Sequence, residues 1–312
     1  MSIWIESNKN KTSLQKEKTT IIELEGATMR ARSDSGSLPT TSAHIARLRI
    51  FQPTRSPKTT EGEWIPTPWG RARVAGALGQ RHADVLEIMM KTARGSWKDP
   101  GGRLCLLIDP HKARTGLSPG GQYSSTGLDR LVNDLRNADV EWEMKGGRRG
   151  GVSKIVSDQD WASVTAPDPL RPRQERRLWK ITLSAPWVAL LTDLGLRYDP
   201  ANIVQMRHGV SQAATRVLLG HNRHYWPAAG LTIDTVLDWV GVPAHGQARW
   251  DARRRIKDDT KYVESYGLRV ENGRILDTKT LARTPDTLAP TPDTLARTPD
   301  TLARTPDFPP RL

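Results

Sequence analysis

The 312-residue chain has little cysteine, no long apolar segment and a shortage of acidic side chains. Its single cysteine, Cys105, excludes an internal disulfide and a metal site built from several thiolates, and it fits a reducing cytoplasm. No stretch approaches 18 uncharged apolar residues, so a membrane span is not expected. Residues 1–20 lack the apolar core of a secretion signal. We therefore expect a cytoplasmic protein that does not span a membrane.

The shortage of acidic residues leaves the chain strongly positive. Its 47 lysines and arginines stand against 34 aspartates and glutamates, which gives a net charge of +13. A basic chain of this kind is expected to bind a phosphate-rich polymer or an anionic membrane surface. The length is sufficient for two modest domains.

Residues 1–60 are rich in serine, threonine, lysine and arginine, and their only apolar clusters are Ile21-Ile22 and Ile45 to Phe51. Because so few apolar side chains are available for burial, we expect a disordered basic arm. The arm is suited to weak phosphate contact, although an inert solvated tail is an equal interpretation. Translation that starts at Met29 is a further hypothesis, under which residues 1–28 are dispensable.

The last 32 residues contain a seven-residue repeat. LARTPDT begins at Leu281 and is followed by LAPTPDT, LARTPDT and LARTPDF, which ends at Phe308. Each copy contains proline and a single leucine, and only the last adds a second large apolar residue, Phe308. This composition excludes a coiled coil and predicts a disordered spacer over 281–312. Seven codons are 21 base pairs, about two turns of B-DNA. The repeat is therefore either a translated DNA-binding array or a recent duplication without function.

Between the two tails, the pattern from Arg81 to Ala138 predicts a helix-turn-helix. An amphipathic helix over 81–94 precedes a short apolar strand over 104–108. Asp109-Pro110 is a typical helix start, and the turn at 118–122 leads to a second helix that begins at Ser124 or Ser125. The outward positions of this second helix predict base and phosphate contacts; they are Ser125, Asp129, Arg130, Asn133, Arg136 and Asn137.

A basic hairpin follows that helix. Val140 to Met144 and Val152 to Val156 are predicted strands, joined by the sequence KGGRRGG. The glycines allow positive φ in the turn, and Lys145, Arg148 and Arg149 are suited to lie along a phosphate backbone. A helix-turn-helix followed by such a hairpin, or wing, is a winged helix. The basic stretch 171–177 is expected to be a loop before a third strand over 179–183.

The same order recurs in the second half. Short helices are predicted over 186–194 and 211–219, and a helix from Thr232 or Asp234 to Trp239 is closed by Gly241. A long helix over 248–263 has Trp250, Ile256 and Val263 as expected core residues. Its exposed faces are predicted to carry Arg249, Arg253, Arg254, Arg255 and Lys257.

The sequence LRVENGRIL, at 268–276, predicts a second hairpin because both central positions of a type I′ turn need positive φ, which Asn-Gly supplies. Arg269 and Arg274 lie on this second wing. The pattern as a whole predicts a mainly helical α+β fold with two tandem winged-helix domains. The predicted limits are 61–195 for the first domain and 196–280 for the second.

These segments resemble the iteron-binding replication initiators of small plasmids, particularly the RepC-like initiators of IncQ-type plasmids. The resemblance covers residues 78–276 and rests on stretches such as LGQRHADVLEIMMKTA, SSTGLDRLVNDLRNADVEWE, LWKITLSAPWVALL, AATRVLLGHNRHYW, LTIDTVLDWVG and ARWDARRRIKDDTKYVESYGLRV. It implies two tandem winged-helix domains that bind direct repeats, called iterons, at a plasmid origin. The recognition helices implied are 124–138 and 248–263.

The partner implied by this resemblance is double-stranded DNA with direct repeats. If the 21-bp array that encodes residues 281–308 is functional, it is one such set of repeats. A replication helicase or primase of the host or plasmid is expected to be recruited, and a homodimer is left open. The resemblance also implies a bacterial, plasmid-encoded protein that needs no cofactor and no metal.

Catalytic patterns are poorly matched. The histidines of His221-Asn222-Arg223-His224 are separated by two polar residues, unlike the metal-binding pair of rolling-circle relaxases. Residues 206–221 are similar to boxes of tyrosine recombinases, but their spacing is too short and no tyrosine follows at the required distance. We therefore expect no enzymatic activity. A winged-helix autorepressor, a recombinase-like enzyme and a nucleic-acid-binding protein that uses charge alone remain the alternatives.

Overall fold

The computed structural model describes residues 19–24, 27–32, 38–118, 123–147, 150–167 and 175–278. The fold is α+β. The first part of the described chain forms these elements in order: β1 (Thr19–Leu24), β2 (Ala27–Arg32), β3 (Thr41–Ser42), α1 (Ala43–Arg47), β4 (Thr60–Glu61), β5 (Ile65–Thr67), β6 (Gly70–Gly76), α2 (Gln80–Thr92), β7 (Gly95–Lys98), β8 (Leu104–Ile108), α3 (Pro110–Leu117), α4 (Ser125–Asn137), β9 (Asp139–Met144), β10 (Gly150–Lys154), β11 (Val156–Pro167) and β12 (Glu175–Leu183).

The second part continues with a further set of helices and short strands. These are α5 (Ala185–Thr192), β13 (Gly195–Leu196), α6 (Ala201–Gln205), α7 (Gly209–Leu219), a 3₁₀ turn (Arg223–Tyr225), β14 (Leu231–Thr232), α8 (Ile233–Val240), α9 (Gln247–Asp258), α10 (Thr260–Glu264), β15 (Leu268–Glu271) and β16 (Arg274–Asp277). Within the described ranges, the helices are too short or too polar to cross a membrane.

One order of elements occurs twice. In the first unit, α2, β8, α3 and α4 are followed by the hairpin β11–β12, and β12 lies between β8 and β11 and is antiparallel to both. In the second unit, α7, β14, α8 and α9 are followed by the hairpin β15–β16, and β16 lies between β14 and β15. An order of helix, strand, helix, helix and hairpin therefore recurs, and the three strands that the two units share have the same order in their sheets. The first unit has β7, β9 and β10 as additional strands.

The hairpin with the KGGRRGG sequence does not belong to this repeated pattern. Its strands β9 and β10 pair with each other, and β9 pairs with β6 in a separate sheet of order β10-β9-β6-β4. Neither strand of this hairpin pairs with β8, the strand of the first helix-turn-helix. The prediction that this hairpin is the wing of the first unit is therefore wrong. The hairpin equivalent to β15–β16 is β11–β12, and its second strand begins at Glu175. The predicted loop over 171–177 is wrong for 175–177, while 171–174 lie outside the described residues.

Two cores of buried apolar side chains organise the fold. The first contains the predicted stripes of α2 and α4, such as Val85, Met89, Leu128 and Leu135. The second is built from α6 to β16 and includes Val217 and Ile256. The cores meet at α6, where Ile203 belongs to the second and Val204 to the first.

Residues 38–60 belong to the folded structure. Leu48 and Ile50 are almost fully buried, and Phe51 packs edge-on against Trp187 in the first core. Ser42 caps α1 by accepting a hydrogen bond from the backbone N–H of Ile45. The prediction of a disordered arm over 1–60 is therefore wrong for 38–60, because the apolar cluster from Ile45 to Phe51 packs against residues elsewhere in the chain. It is also wrong for 19–24 and 27–32, because β1 and β2 form a hairpin whose second strand pairs with β7. The predicted tail, 281–312, lies outside the described residues.

Local capping signals place the helices of both units. Asp109 caps α3 and Pro110 occupies its first turn. Thr232 caps α8, which ends at Gly241 in the left-handed conformation with φ of 84°. These starts and ends are confirmed. Of the predicted turn at 118–122, residues 119–122 lie outside the described residues.

Candidate nucleic-acid interface

The basic helix predicted over 248–263 is two helices, α9 and α10, that meet at Asp259. The Asp259 side chain is fully buried and accepts hydrogen bonds from the backbone N–H groups of Arg207 (2.9 Å) and His208 (3.1 Å). These groups precede the first turn of α7, where unpaired N–H donors attract a carboxylate. Asp259 therefore ties the end of α9 to the start of α7.

The exposed face of α9 combines cations with an aromatic side chain. Ala252 and Ile256 face the core. Trp250 is 53% exposed, so the prediction that it is a core residue is wrong, and the guanidinium of Arg254 lies 5.0 Å from the centre of its ring. Arg255 and Lys257 are exposed on the same helix. Ile256 and Val263 are buried, as predicted.

Arg249 is a structural residue. Its side chain is only 5% exposed and donates to the Asp234 carboxylate (2.9 Å), the Asp234 carbonyl (2.6 Å) and the Val242 carbonyl (3.2 Å). It also lies 2.8 Å from an Asp238 carboxylate oxygen. The prediction that Arg249 lies on an exposed face is therefore wrong. Four residues along the sequence, Arg253 is 46% exposed and pairs with Asp234 through two hydrogen bonds of 2.8 and 2.7 Å, which raise the pKa of Arg253 and lower the pKa of Asp234.

The hairpin β15–β16 has the predicted turn. Asn272 and Gly273 have φ of 48° and 73°, the conformation that a type I′ turn requires. Arg269 is exposed and forms an ion pair of 3.1 Å with Glu271. Arg274 is exposed and donates to the carbonyls of Ala229 (3.2 Å) and Gly230 (3.4 Å). Both predicted wing arginines therefore lie on this hairpin, next to the second unit's helices.

In the first unit, α4 presents a polar face of mixed charge. Ser124 caps the helix by accepting from the N–H of Gly127 (2.9 Å), and Ser125 and Arg130 are exposed. Asn133 is half-buried, and Arg136 is exposed, with its guanidinium 3.9 Å from Asp158.

A groove of about 570 Å³ lies between this face of α4 and β11. Gln159 of β11 donates to Asp129 across it (3.0 Å), and Trp161 is 55% exposed at its edge with its ring against Trp179. Trp161 was missed in the sequence. Its period-two spacing with Gln159 was the available signal, but only the pairing of β11 with β12 shows which face they share.

The KGGRRGG turn has the positive φ angles expected of its glycines, but it lies next to the β5–β6 turn. Gly146 and Gly147 have φ of 88° and 65°, and Lys145 is exposed. The N–H of Lys145 donates to the Trp69 carbonyl (2.9 Å), at the β5–β6 turn. Arg148 and Arg149 lie outside the described residues.

Residues that resembled catalytic patterns have other surroundings. His221 stacks on Trp239 with ring centres 4.8 Å apart and accepts from Trp226 Nε1 (3.0 Å); burial lowers its pKa. His208 lies 3.5 Å from Asp258. Cys105 is buried in β8, and this burial raises the pKa of its thiol. The described part of the chain contains no group of three or more His, Cys, Asp and Glu that is arranged for a metal ion.

Comparisons with known proteins include a structural likeness. Neither a protein-family model nor a curated protein matches the chain. The chain is similar in structure to domains 2 and 3 of RctB, with 12% sequence identity and a TM-score of 0.48 over 75% of this chain and 95% of that one. The function of this chain is therefore inferred from its own residues.

The α9 face of the second unit is more positive than the α4 face of the first. The exposed part of α9 carries Arg253, Arg254, Arg255 and Lys257, with Asp251, Asp258 and the Arg253 partner Asp234 beside them. On α4, Arg130 and Arg136 are balanced by Asp129 and by Asp158 of the neighbouring strand. The α9 face and the β15–β16 hairpin are therefore the stronger candidate for contact with a polyanion.

Proposed function

We propose that the chain is a double-stranded DNA-binding protein that initiates plasmid replication by binding direct repeats, and that it has no enzymatic activity of its own. The observation that carries the proposal is the repeated order of helix, strand, helix, helix and hairpin, with an exposed basic face on the last helix of the second copy. In this proposal each unit is a winged helix, and the wings are β11–β12 and β15–β16.

The second unit supplies the stronger contact. In a winged helix, the second helix of the helix-turn-helix lies in the major groove. In the second unit that helix is α9. Arg254 is suited to a guanine edge, because a guanidinium matches its two acceptors, while Arg255 and Lys257 are suited to phosphates. Arg269 and Arg274 place cations on the wing that follows the adjacent backbone.

The first unit contributes a more polar contact. Ser125, Arg130, Asn133 and Arg136 of α4 include the side-chain types that hydrogen-bond to base edges and phosphates. Arg177 is exposed on β12, on the hairpin that takes the place of the wing. Two such units on one chain gain affinity because binding of the first raises the local concentration of the second.

The initiator role rests on the sequence resemblance and on the translated repeat. Binding to direct repeats at an origin would strain the duplex so that a replication helicase or primase can load. No cofactor or metal is needed for this role. A transcriptional repressor with the same units would bind the same kind of DNA and differ in its effect on replication.

Two experiments test the proposal. Selection from random duplexes followed by footprinting is expected to yield a preferred site whose binding weakens steeply with salt. The gene with its flanking DNA is then expected to sustain replication of a plasmid that lacks its own initiator. Failure to replicate, together with repression of a promoter that carries the selected site, would establish the repressor instead.

The nucleotide sequence that encodes 281–308 provides an independent test. If the repeat acts as DNA, the third codon positions are expected to be identical between copies and the protein is expected to protect them in a footprint. Synonymous recoding of all four copies leaves the protein unchanged and serves as the control. Undiminished binding and replication after recoding would show that the repeat has no role as DNA.

A further inference from the structure

A buried polar cluster joins the two units. Arg216 of α7 is 6% exposed, and its guanidinium donates to Glu87 Oε1 (2.7 Å), Glu87 Oε2 (2.8 Å), Asp84 Oδ1 (2.6 Å) and Gln80 Oε1 (2.7 Å), all on α2. Tyr198 donates to the same Glu87 carboxylate (2.6 Å), and Gln212 donates to Asp84 (3.0 Å). We call these six residues the interdomain cluster.

The geometry of this cluster favours one relative orientation of α2 and α7. Burial alone lowers the pKa of Arg216, but Glu87 and Asp84 outweigh it and raise that pKa well above its ordinary value. Buried charges are costly unless all of their hydrogen bonds are made, so a rotation or slide that separates Arg216 from either carboxylate is strongly disfavoured. An apolar interface of the same size would tolerate such a slide more easily.

The interdomain cluster is connected to both candidate DNA-contacting helices. On one side, His82 of α2 lies 3.2 Å from Asp134 of α4. On the other side, Asp259 holds the end of α9 to the N-terminal turn of α7, and the Ser211 hydroxyl of α7 donates to the Arg255 carbonyl of α9 (3.1 Å). Polar contacts therefore join α4 to α2, α2 to α7 and α7 to α9.

The segment 38–60 holds the same units together. Arg47 donates to the Gly220 carbonyl at the end of α7 (2.6 Å), and Arg49 donates to the Trp239 carbonyl near the end of α8 (2.7 Å). Arg55 donates to the Met206 carbonyl just before α7 (3.0 Å). Met206, Gly220 and Trp239 lie at the C-terminal ends of α6, α7 and α8, where carbonyls favour cations, so these arginines are used for contact between the units. This position differs from the phosphate contact expected of a basic arm.

We infer that Arg216 holds α4 and α9 at one distance and orientation, so that the protein recognises two half-sites at a single fixed spacing. The inference about DNA rests on the proposed function. Two units on a flexible tether would accept extra DNA between half-sites whenever an insertion of about one turn, ~10.5 bp, restores the same face of the duplex. A rigid pair would not, because the distance along the DNA has also changed.

The rigidity is measured first, without DNA. Spin labels on Arg130→Cys in α4 and Arg255→Cys in α9 report the distance between the helices, while the buried Cys105 is shielded from labelling. A narrow distance distribution is expected, with broadening in Arg216→Met and in the near-isosteric double variant Asp84→Asn/Glu87→Gln. The matched control is Arg103→Met, which removes an exposed pair with Asp99. Distributions that stay narrow in both variants would overturn the role of Arg216.

The spacing rule is measured next, with the selected DNA site. The unaltered protein is expected to lose about tenfold or more in affinity for DNA when either half a turn or a full turn is inserted between the half-sites. A variant with a broadened distance distribution is expected to lose affinity after half a turn and to regain it after a full turn. Recovery by the unaltered protein, or a footprint that covers one unit alone, would overturn the fixed spacing. A protein that binds no duplex would overturn the proposed function, whereas the distance measurement would still test Arg216.

Discussion

His82 Nε2 lies 3.2 Å from Asp134 Oδ2, and His82 Nδ1 accepts a hydrogen bond from the backbone N–H of Gly79 at 3.0 Å. Because Nδ1 accepts, the neutral imidazole carries its proton on Nε2, where it donates to the carboxylate. The ring is buried, and it joins the first turn of α2 to the last part of α4. The hydrogen bond from Gly79 to Nδ1 therefore depends on the neutral form of the histidine.

Stability is expected to fall as the pH drops below about 6.5, the ordinary pKa of histidine. Burial lowers the pKa of His82 in the folded protein, despite opposing contributions from Asp134. Below pH 6.5 the unfolded chain takes up a proton that the folded chain does not, so the free energy of unfolding decreases until the lower, folded-state pKa is reached.

Urea denaturation at several pH values checks this expectation. The difference in unfolding free energy between the unaltered protein and His82→Gln should shrink between pH 7.5 and 5.5, since glutamine does not titrate. Thr126→Ala, at an exposed position without a titrating group, is the control and should give a constant difference. Parallel curves for the unaltered protein and His82→Gln would contradict the prediction.

Arg249 and Arg255 lie on the same helix, but substitutions at the two positions are expected to affect different properties, stability for Arg249 and DNA binding for Arg255. Arg249→Ala removes a buried guanidinium that has carboxylate and carbonyl partners, so we expect a loss of about 2 kcal/mol in unfolding free energy. Arg255→Ala should change stability by less than ~0.5 kcal/mol but reduce the salt dependence of DNA binding by about one phosphate contact. Denaturation and salt titration of both variants provide the measurement, and equal effects of the two on stability would contradict the assignment.

Local signals were sufficient where the chain folds on itself over a few residues. The Asn272-Gly273 turn, the caps Asp109 and Thr232, and the buried stripe of α4 followed from backbone preferences and helical periodicity. The position of Arg249 was also accessible, because it precedes Ala252 and Ile256 by three and seven residues and therefore shares their buried face. Trp250 is off that stripe by one position, which is a rotation of about 100° around the helix.

Long-range pairing was not accessible from local pattern. The hairpin β9–β10 has the spacing and basic turn of a wing, and nothing in its own residues shows that β9 pairs with β6, about seventy residues earlier. The segment from Ile45 to Phe51 was likewise visible as an apolar cluster, but its burial depends on side chains such as Trp187. The interdomain cluster joins residues more than a hundred positions apart, and only the packing of α2 on α7 brings Arg216 to Glu87.

Arg254 is expected to carry part of the sequence preference. If it contacts a guanine, Arg254→Ala should cost about 1–3 kcal/mol in binding to the selected site and relax the preference at one position. Arg254→Lys keeps the charge but not the paired donors, so it should restore the salt dependence without restoring the preference. Binding to a panel of single-base variants is the measurement, and an unchanged preference in both variants would exclude Arg254 from base contact.

Asp259 is expected to be essential for the geometry of the second unit. Asp259→Asn replaces a buried carboxylate that accepts two backbone hydrogen bonds. The asparagine side chain has only one oxygen, so either its NH₂ group faces a backbone N–H donor or one of the two backbone donors is left unpaired. We expect a loss of about 2 kcal/mol in unfolding free energy. Asp258→Asn, at the exposed neighbouring position, is the control and should cost less than ~1 kcal/mol. Comparable losses in the two variants would show that the cap contributes little.

Leu48 tests whether the segment that looked like an arm belongs to the core. The Leu48 side chain is completely buried in the first core, so Leu48→Ala leaves a cavity and should cost about 2–5 kcal/mol in unfolding free energy. Lys58→Ala, in the same segment but exposed, should change it by less than ~0.5 kcal/mol. If the segment were an unfolded arm, both variants would leave the denaturation midpoint unchanged. Only Lys58→Ala would then have an effect, a lower affinity for DNA at low salt, because it removes a positive charge.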